Sequence, residues 1–90
     1  MDISHIINAS GIENPQAALY IDYSDGLCLT YYGNYFSTQD PNEQAYHLYT
    51  IVKGNSAIID KDGFGLIKYH EFDVYLFYDP KLNKLLAVYK

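Results

Sequence analysis

The stretch that decides how the second half of this chain folds is DKDGFGLIKYHEF, residues 60–72. Residues 64–69 within it form a mainly apolar run of strand length, and the Asp62-Gly63 pair before them is typical of a tight turn. Similar runs, separated by turn-forming residues, lie on either side. We therefore predict strands at residues 56–60, 64–69, 72–78 and 85–89, with a hairpin loop at residues 79–84.

The same stretch also resembles the calcium-binding loop of the EF-hand family. Asp60, Asp62 and Glu71 stand at the family's ligand positions one, three and twelve, and Gly65 stands at its sharp turn. The resemblance implies a calcium-binding module, which is the alternative function for this chain. Phe64 departs from the family, because it occupies a position where an oxygen-bearing side chain belongs. The interpretation as a turn between strands is therefore preferred.

A second hairpin is predicted in the first half of the chain. Residues 19–23 and 27–31 are strand-like and flank Ser24-Asp25-Gly26, which suits a three-residue loop. In that register, one face is expected to be core and the other half-exposed. The core face is predicted to carry Leu19, Ile21, Tyr23, Leu27, Leu29 and Tyr31, and the other face Tyr20, Asp22, Cys28, Thr30 and Tyr32.

Two helices are predicted from their capping residues. Asp2 can cap a short helix that ends at Gly11, and Asp40-Pro41 begins a longer one. Ala45, Leu48, Tyr49 and Val52 repeat at helical spacing along the second helix. Residues 1–90 are therefore predicted to be a single α+β domain, with one antiparallel sheet of about five to six strands and both helices packed on one face.

The net charge of −5 is unevenly distributed along the chain. There is no Arg, and all six Lys lie at residue 53 or later, so the six acidic residues of 1–52 leave that half at −6. Residues 53–90 carry six Lys against the five remaining acidic residues, which gives +1. An anionic half repels nucleic acid and anionic membranes and attracts basic protein surfaces. The alternative is that acidity only keeps a small protein in solution.

Cysteine usage and the N-terminal sequence predict a cytoplasmic location. Cys28 is the single cysteine and has no disulfide partner within the chain. No secretion signal and no apolar run of membrane-spanning length are recognisable.

The sequence gives little support for catalysis. Cys28 is predicted to lie within a strand, and His5, His47 and His70 fall on three separate elements. There is no phosphate-binding glycine loop. We predict that the chain is not an enzyme and uses no cofactor.

A binding function remains. The chain contains eleven Tyr, and exposed Tyr often anchors protein contacts, although Tyr is also common in ordinary strands. In size and charge the chain is similar to phage-encoded inhibitors of host defence nucleases, including anti-CRISPR and anti-restriction proteins, and to small immunity proteins. We predict a basic partner protein; a homodimer joined through a sheet edge is a further alternative. The predicted contact residues are Tyr20, Asp22, Asp25, Tyr32, Asp40 and Glu43.

Overall fold

Residues 2–90, which a computed structural model describes, form one antiparallel five-stranded sheet and two α-helices. The strands are β1 (Ala17–Asp22), β2 (Cys28–Tyr32), β3 (Phe64–Tyr69), β4 (Phe72–Asp79) and β5 (Lys84–Tyr89), and the helices are α1 (Ile3–Ser10) and α2 (Pro41–Gly54). The strand order across the sheet is β2-β1-β5-β4-β3, so β2 and β3 are its edges. The predicted α+β class with a single antiparallel sheet is confirmed, with five strands.

The two helices cover opposite faces of this sheet. Ile3 and Ile7 of α1 pack on one face, whereas Leu48 and Val52 of α2 pack on the other. The prediction that both helices share one face is wrong in this respect. The helices lie on opposite faces because β1 and β5 direct apolar residues to both faces of the sheet. Every residue of the segment 85–89 is buried. A sheet that is apolar on both sides has to be covered on both sides.

The helix boundaries follow the predicted caps. The Asp2 carboxylate accepts a hydrogen bond from the Ser4 N–H at 3.0 Å, and α1 ends at Gly11 with φ of 78°. The Asp40 carboxylate accepts one from the Asn42 N–H at 2.9 Å at the start of α2. These local contacts satisfy backbone donors that the first helical turn leaves unpaired.

The β1–β2 hairpin departs from the predicted register. Leu19 pairs with Tyr31 and Ile21 pairs with Cys28, with a bulge between Tyr20 and Ile21 that leaves Leu29 as the extra residue. Cys28 therefore packs against the core on the α2 face, whereas Leu29 is exposed. One inserted residue reverses the faces of everything beyond it, because side chains alternate along a strand.

The stretch 60–72 forms a turn followed by β3 and a tight connection to β4, as the turn interpretation predicts. The expected strand at residues 56–60 is absent, and Ser56–Ile58 form a single 3-10 turn. The carbonyl of Ile58 lies over Gly65, where an added Cβ would come within 2.5 Å of it. Gly65 thus serves close packing inside a strand, and it does not form the sharp turn that the EF-hand resemblance implied.

Candidate protein-binding surface

The loop between β1 and β2 lies against the middle of α2, and Gly26 makes that contact close. A Cβ on Gly26 would come within 2.6 Å of the Tyr49 ring and 2.9 Å of the Tyr46 ring, and its φ is +80°. Both the space and the backbone conformation therefore require glycine. The Tyr49 hydroxyl also donates to the Ser24 carbonyl at 3.3 Å, which fixes the loop beside the helix.

Acidic and apolar side chains are exposed together where this loop meets the helix. Leu27 and Tyr46 are each 56% exposed, and Asp25 is exposed beside them. Asp40 and Glu43 are exposed at the start of α2. We call this set the acidic surface: Asp25, Leu27, Asp40, Glu43 and Tyr46.

The carboxylates of the acidic surface have no cationic partner among residues 2–90 within 4.0 Å. The ion pairs of that part of the chain are Lys68–Asp73, at 2.8 Å, and Lys84–Asp22, at 3.9 Å. Asp25 instead accepts a hydrogen bond from the Leu27 N–H at 3.0 Å. The negative charge of the acidic surface is therefore left for an external partner or for solvent ions.

Three of the six predicted contact residues lie outside the acidic surface. Tyr20 is only 8% exposed and packs beneath α1, so the expectation that it is an exposed anchor is wrong. Asp22 accepts hydrogen bonds from the Ser24 N–H and hydroxyl, which lower the pKa of its carboxyl. Tyr32 is 41% exposed but pairs with Ala18, on the face that carries α1.

The sequence interpretation missed Leu27 and Tyr46 as exposed residues. Leu27 falls on the core face only if residues alternate strictly along the strand, and the bulge breaks that alternation. Tyr46 directly follows the buried Ala45, so its position off the α2 stripe was the signal that could have identified it.

Strand β3 separates Glu71 from Asp60 and Asp62, the other two residues of the calcium interpretation. Asp60 accepts hydrogen bonds from the Asp62 N–H at 2.9 Å and the Phe64 N–H at 3.0 Å, which closes the turn before β3. Glu71 lies beyond the other end of β3, and six strand residues span about 20 Å. Within residues 2–90, no group of three or more His, Cys, Asp or Glu side chains is arranged to hold a metal ion.

Cys28 lies in a setting that suppresses its reactivity. Its thiol is half-buried and contacts the Thr30 carbonyl at 3.5 Å. Burial raises the pKa of the Cys28 thiol, and the nearby Asp40 carboxylate raises it further. Because the thiolate is the nucleophile, such a cysteine reacts slowly near neutral pH.

A second exposed apolar area lies at the β3 edge of the sheet, on the face that carries α1. Phe64 is 39% exposed and Leu66 is 52% exposed. The Phe64 ring lies 5.4 Å from the Phe77 ring on β4. This area has a balanced charge, since its Lys68 pairs with Asp73.

The helices of residues 2–90 are too short or too polar to cross a membrane. Comparison with known proteins finds no family model and no curated sequence that matches this chain. Among solved structures, the chain is similar to MglB of Myxococcus xanthus, with a TM-score of 0.67 and 12% sequence identity. The similarity covers 84% of this chain and 63% of the MglB chain, so it spans less than two thirds of MglB's length. At this identity the similarity establishes a shared fold alone.

Proposed function

We propose that this chain is a non-enzymatic cytoplasmic domain that binds a basic partner protein through the acidic surface. The observation that carries the proposal is the exposure of Leu27 and Tyr46 beside Asp25, in a half of the sequence without any Lys or Arg. Apolar side chains exposed together with unpaired charges of one sign are suited to a protein interface.

The two kinds of side chain would contribute differently to binding. The carboxylates of Asp25, Asp40 and Glu43 would attract a basic surface and speed the encounter. Tyr46 and Leu27 would be buried on contact and slow dissociation, since aromatic residues at the centre of an interface carry most of its energy.

The proposal includes inhibition of a nucleic-acid-handling partner. A basic surface that normally contacts phosphates would be occupied by carboxylates, which carry the same sign of charge. The chain would then act as an anti-CRISPR-like or anti-restriction-like protein of the phage counter-defence type. This part of the proposal rests on size and charge.

The test compares two variants of equal net charge in capture from extracts of the source organism. In the neutralised variant, the substitutions are Asp25→Asn, Asp40→Asn and Glu43→Gln. In the control variant, they are Asp62→Asn, Glu71→Gln and Asp79→Asn. Each variant removes three negative charges, and Asn can still accept the backbone hydrogen bonds that Asp25, Asp40 and Asp79 accept.

The wild type and the control variant should retain the same basic protein, and the neutralised variant should lose it. Equal retention by all three proteins would contradict the acidic surface as the interface. If the captured protein is a nuclease, its activity should fall when wild type is added. The neutralised variant should leave that activity unchanged.

The β3 edge supports a second candidate, a homodimer joined through this strand. Asp60 already forms hydrogen bonds with the N–H and the C=O of Phe64, but within residues 2–90 no strand pairs with β3 on this side beyond Phe64, where Leu66 is exposed. Light scattering at several concentrations should then show an average mass that rises from that of a monomer to that of a dimer. The substitution Leu66→Lys should keep the protein monomeric. A constant monomer mass at all concentrations would exclude this candidate.

A further inference from the structure

A row of four tyrosine rings runs from α2 to β4. The rings of Tyr46 and Tyr49 lie 5.8 Å apart, those of Tyr49 and Tyr23 lie 5.5 Å apart, and those of Tyr23 and Tyr78 lie 5.0 Å apart. Lys53 places its Nζ 4.5 Å from the centre of the Tyr23 ring and 5.6 Å from that of Tyr49. Lys53 thus places a cation on this row, and among residues 2–90 no cation lies over the Tyr46 ring.

A pocket of about 240 Å³ lies at the Tyr46 end of the row. Its lining residues are Asp25, Gly26, Leu27, Cys28, Asn42 and Tyr46. The lining residues include the exposed Tyr46, the amide-bearing Asn42 and Asp25, whose Oδ1 already accepts from the Leu27 N–H. Residues 27 and 28 add apolar surface. A ring face, a carboxylate and an apolar wall are the groups that a cation on an alkyl chain contacts favourably.

The electrostatics of the pocket favour a cation from another molecule. No Lys or Arg occurs in residues 2–52, which provide every lining side chain. The positive end of the α2 dipole is close by, but Asp40 at the cap and Glu43 in the first turn offset it. The complementary occupant is therefore cationic.

We propose that this pocket binds an arginine side chain of the basic partner, with its guanidinium stacked on Tyr46 and hydrogen-bonded to Asp25. The inference rests on the proposed function and specifies how the acidic surface recognises its partner. Arginine fits better than lysine, because its planar guanidinium stacks on aromatic rings and presents several donors to one carboxylate.

The probe for this inference is the peptide acetyl-Gly-Arg-Gly-amide, and its control is the same peptide with citrulline, a neutral analogue of similar shape. Binding is followed by amide chemical shifts of the full chain. The arginine peptide should cause saturable shifts at Gly26, Leu27 and Tyr46. It should bind about fivefold more tightly than the citrulline peptide, as a cation stacked on a ring and paired with a carboxylate predicts.

Two variants with matched controls locate the site. Tyr46→Leu and Asp25→Asn should each weaken the arginine peptide by about threefold, the size expected for an exposed cation–ring contact or ion pair. Tyr31→Leu, a change at another exposed tyrosine, and Asp79→Asn, a change at another turn aspartate, should not. Equal binding of both peptides, or an unchanged affinity in Tyr46→Leu and Asp25→Asn, would overturn the proposal.

The two proposals fail in distinguishable ways. If the neutralised variant loses a basic partner but the arginine peptide shows no preference over citrulline, the pocket is wrong and the acidic surface stands. If the arginine peptide binds at Tyr46 but every variant captures the same proteins, the proposed function is wrong, and only the arginine-binding property of the pocket stands.

Discussion

Gln44 is a polar residue of α2 that is buried between the helix and the sheet, with 6% of its surface exposed. Its Oε1 accepts a hydrogen bond from the Tyr89 hydroxyl at 2.6 Å, and its Nε2 donates to the Tyr35 hydroxyl at 2.8 Å. Burial raises the pKa of Tyr89, which keeps its hydroxyl a neutral donor. Because a buried amide is costly when unpaired, these contacts fix the position of α2 on the sheet.

Removing the Tyr89 hydroxyl should destabilise the fold through the acceptor that it leaves behind. We expect Tyr89→Phe to lower the free energy of unfolding by about 1–3 kcal/mol, measured by urea denaturation. The matched change Tyr75→Phe removes the hydroxyl of a half-buried ring on β4 and should cost less than about 0.5 kcal/mol. Equal effects of the two substitutions would contradict a structural role for the network.

The raised pKa of Cys28 gives a second prediction at this scale. The folded protein holds less thiolate at pH 8 than an unfolded chain does, so iodoacetamide should modify Cys28 more slowly in buffer than in urea. The inflection of rate against pH should lie above that of the unfolded chain, because burial and Asp40 both disfavour the anion. An inflection at or below the unfolded value would contradict this environment.

Among the secondary-structure elements, the features that depend only on residues close together in the sequence were predictable. Asp2 and Asp40 are caps, and the α2 stripe at Leu48 and Val52 is buried. The bulge beside Ile21 was not predictable, because it depends on how β2 fits against β1 and α2. The opposite placement of the helices, by contrast, could have been predicted, because residues 85–89 are apolar at every position and such a strand is typically buried on both faces.

The turn before β3 gives a prediction that separates a structural role from a metal-binding one. Asp60 accepts two backbone hydrogen bonds there, so Asp60→Ala should lower the free energy of unfolding by about 1 kcal/mol with or without calcium. Glu71→Gln should have little effect, because Glu71 is exposed in the next turn.

Thermal unfolding at millimolar calcium provides the measurement. A ligand that binds only the folded state raises its melting temperature, and no such rise is expected for wild type. A rise in wild type that is lost in both Asp60→Ala and Glu71→Gln would restore the calcium-binding interpretation.

Across the whole molecule, the charge asymmetry of the sequence becomes a difference between surfaces. The acidic surface lies where the β1–β2 loop meets α2, whereas Lys68 and Asp73 balance each other near the β3 edge. Asp25, Asp40 and Glu43 are exposed, as the sequence led us to expect, and the positive charge of the partner stays a prediction. The apolar part of the surface, Leu27 and Tyr46, required the three-dimensional arrangement.

The central claim is that a basic partner is attracted by the carboxylates of the acidic surface. Its most direct test measures the association rate of the captured partner against ionic strength for wild type, the neutralised variant and the control variant. Salt screens exposed charges, so wild type and the control variant should show steep falls with added salt. The neutralised variant should associate about tenfold more slowly at low salt and depend weakly on salt. Equally steep salt dependence in all three proteins would contradict the claim.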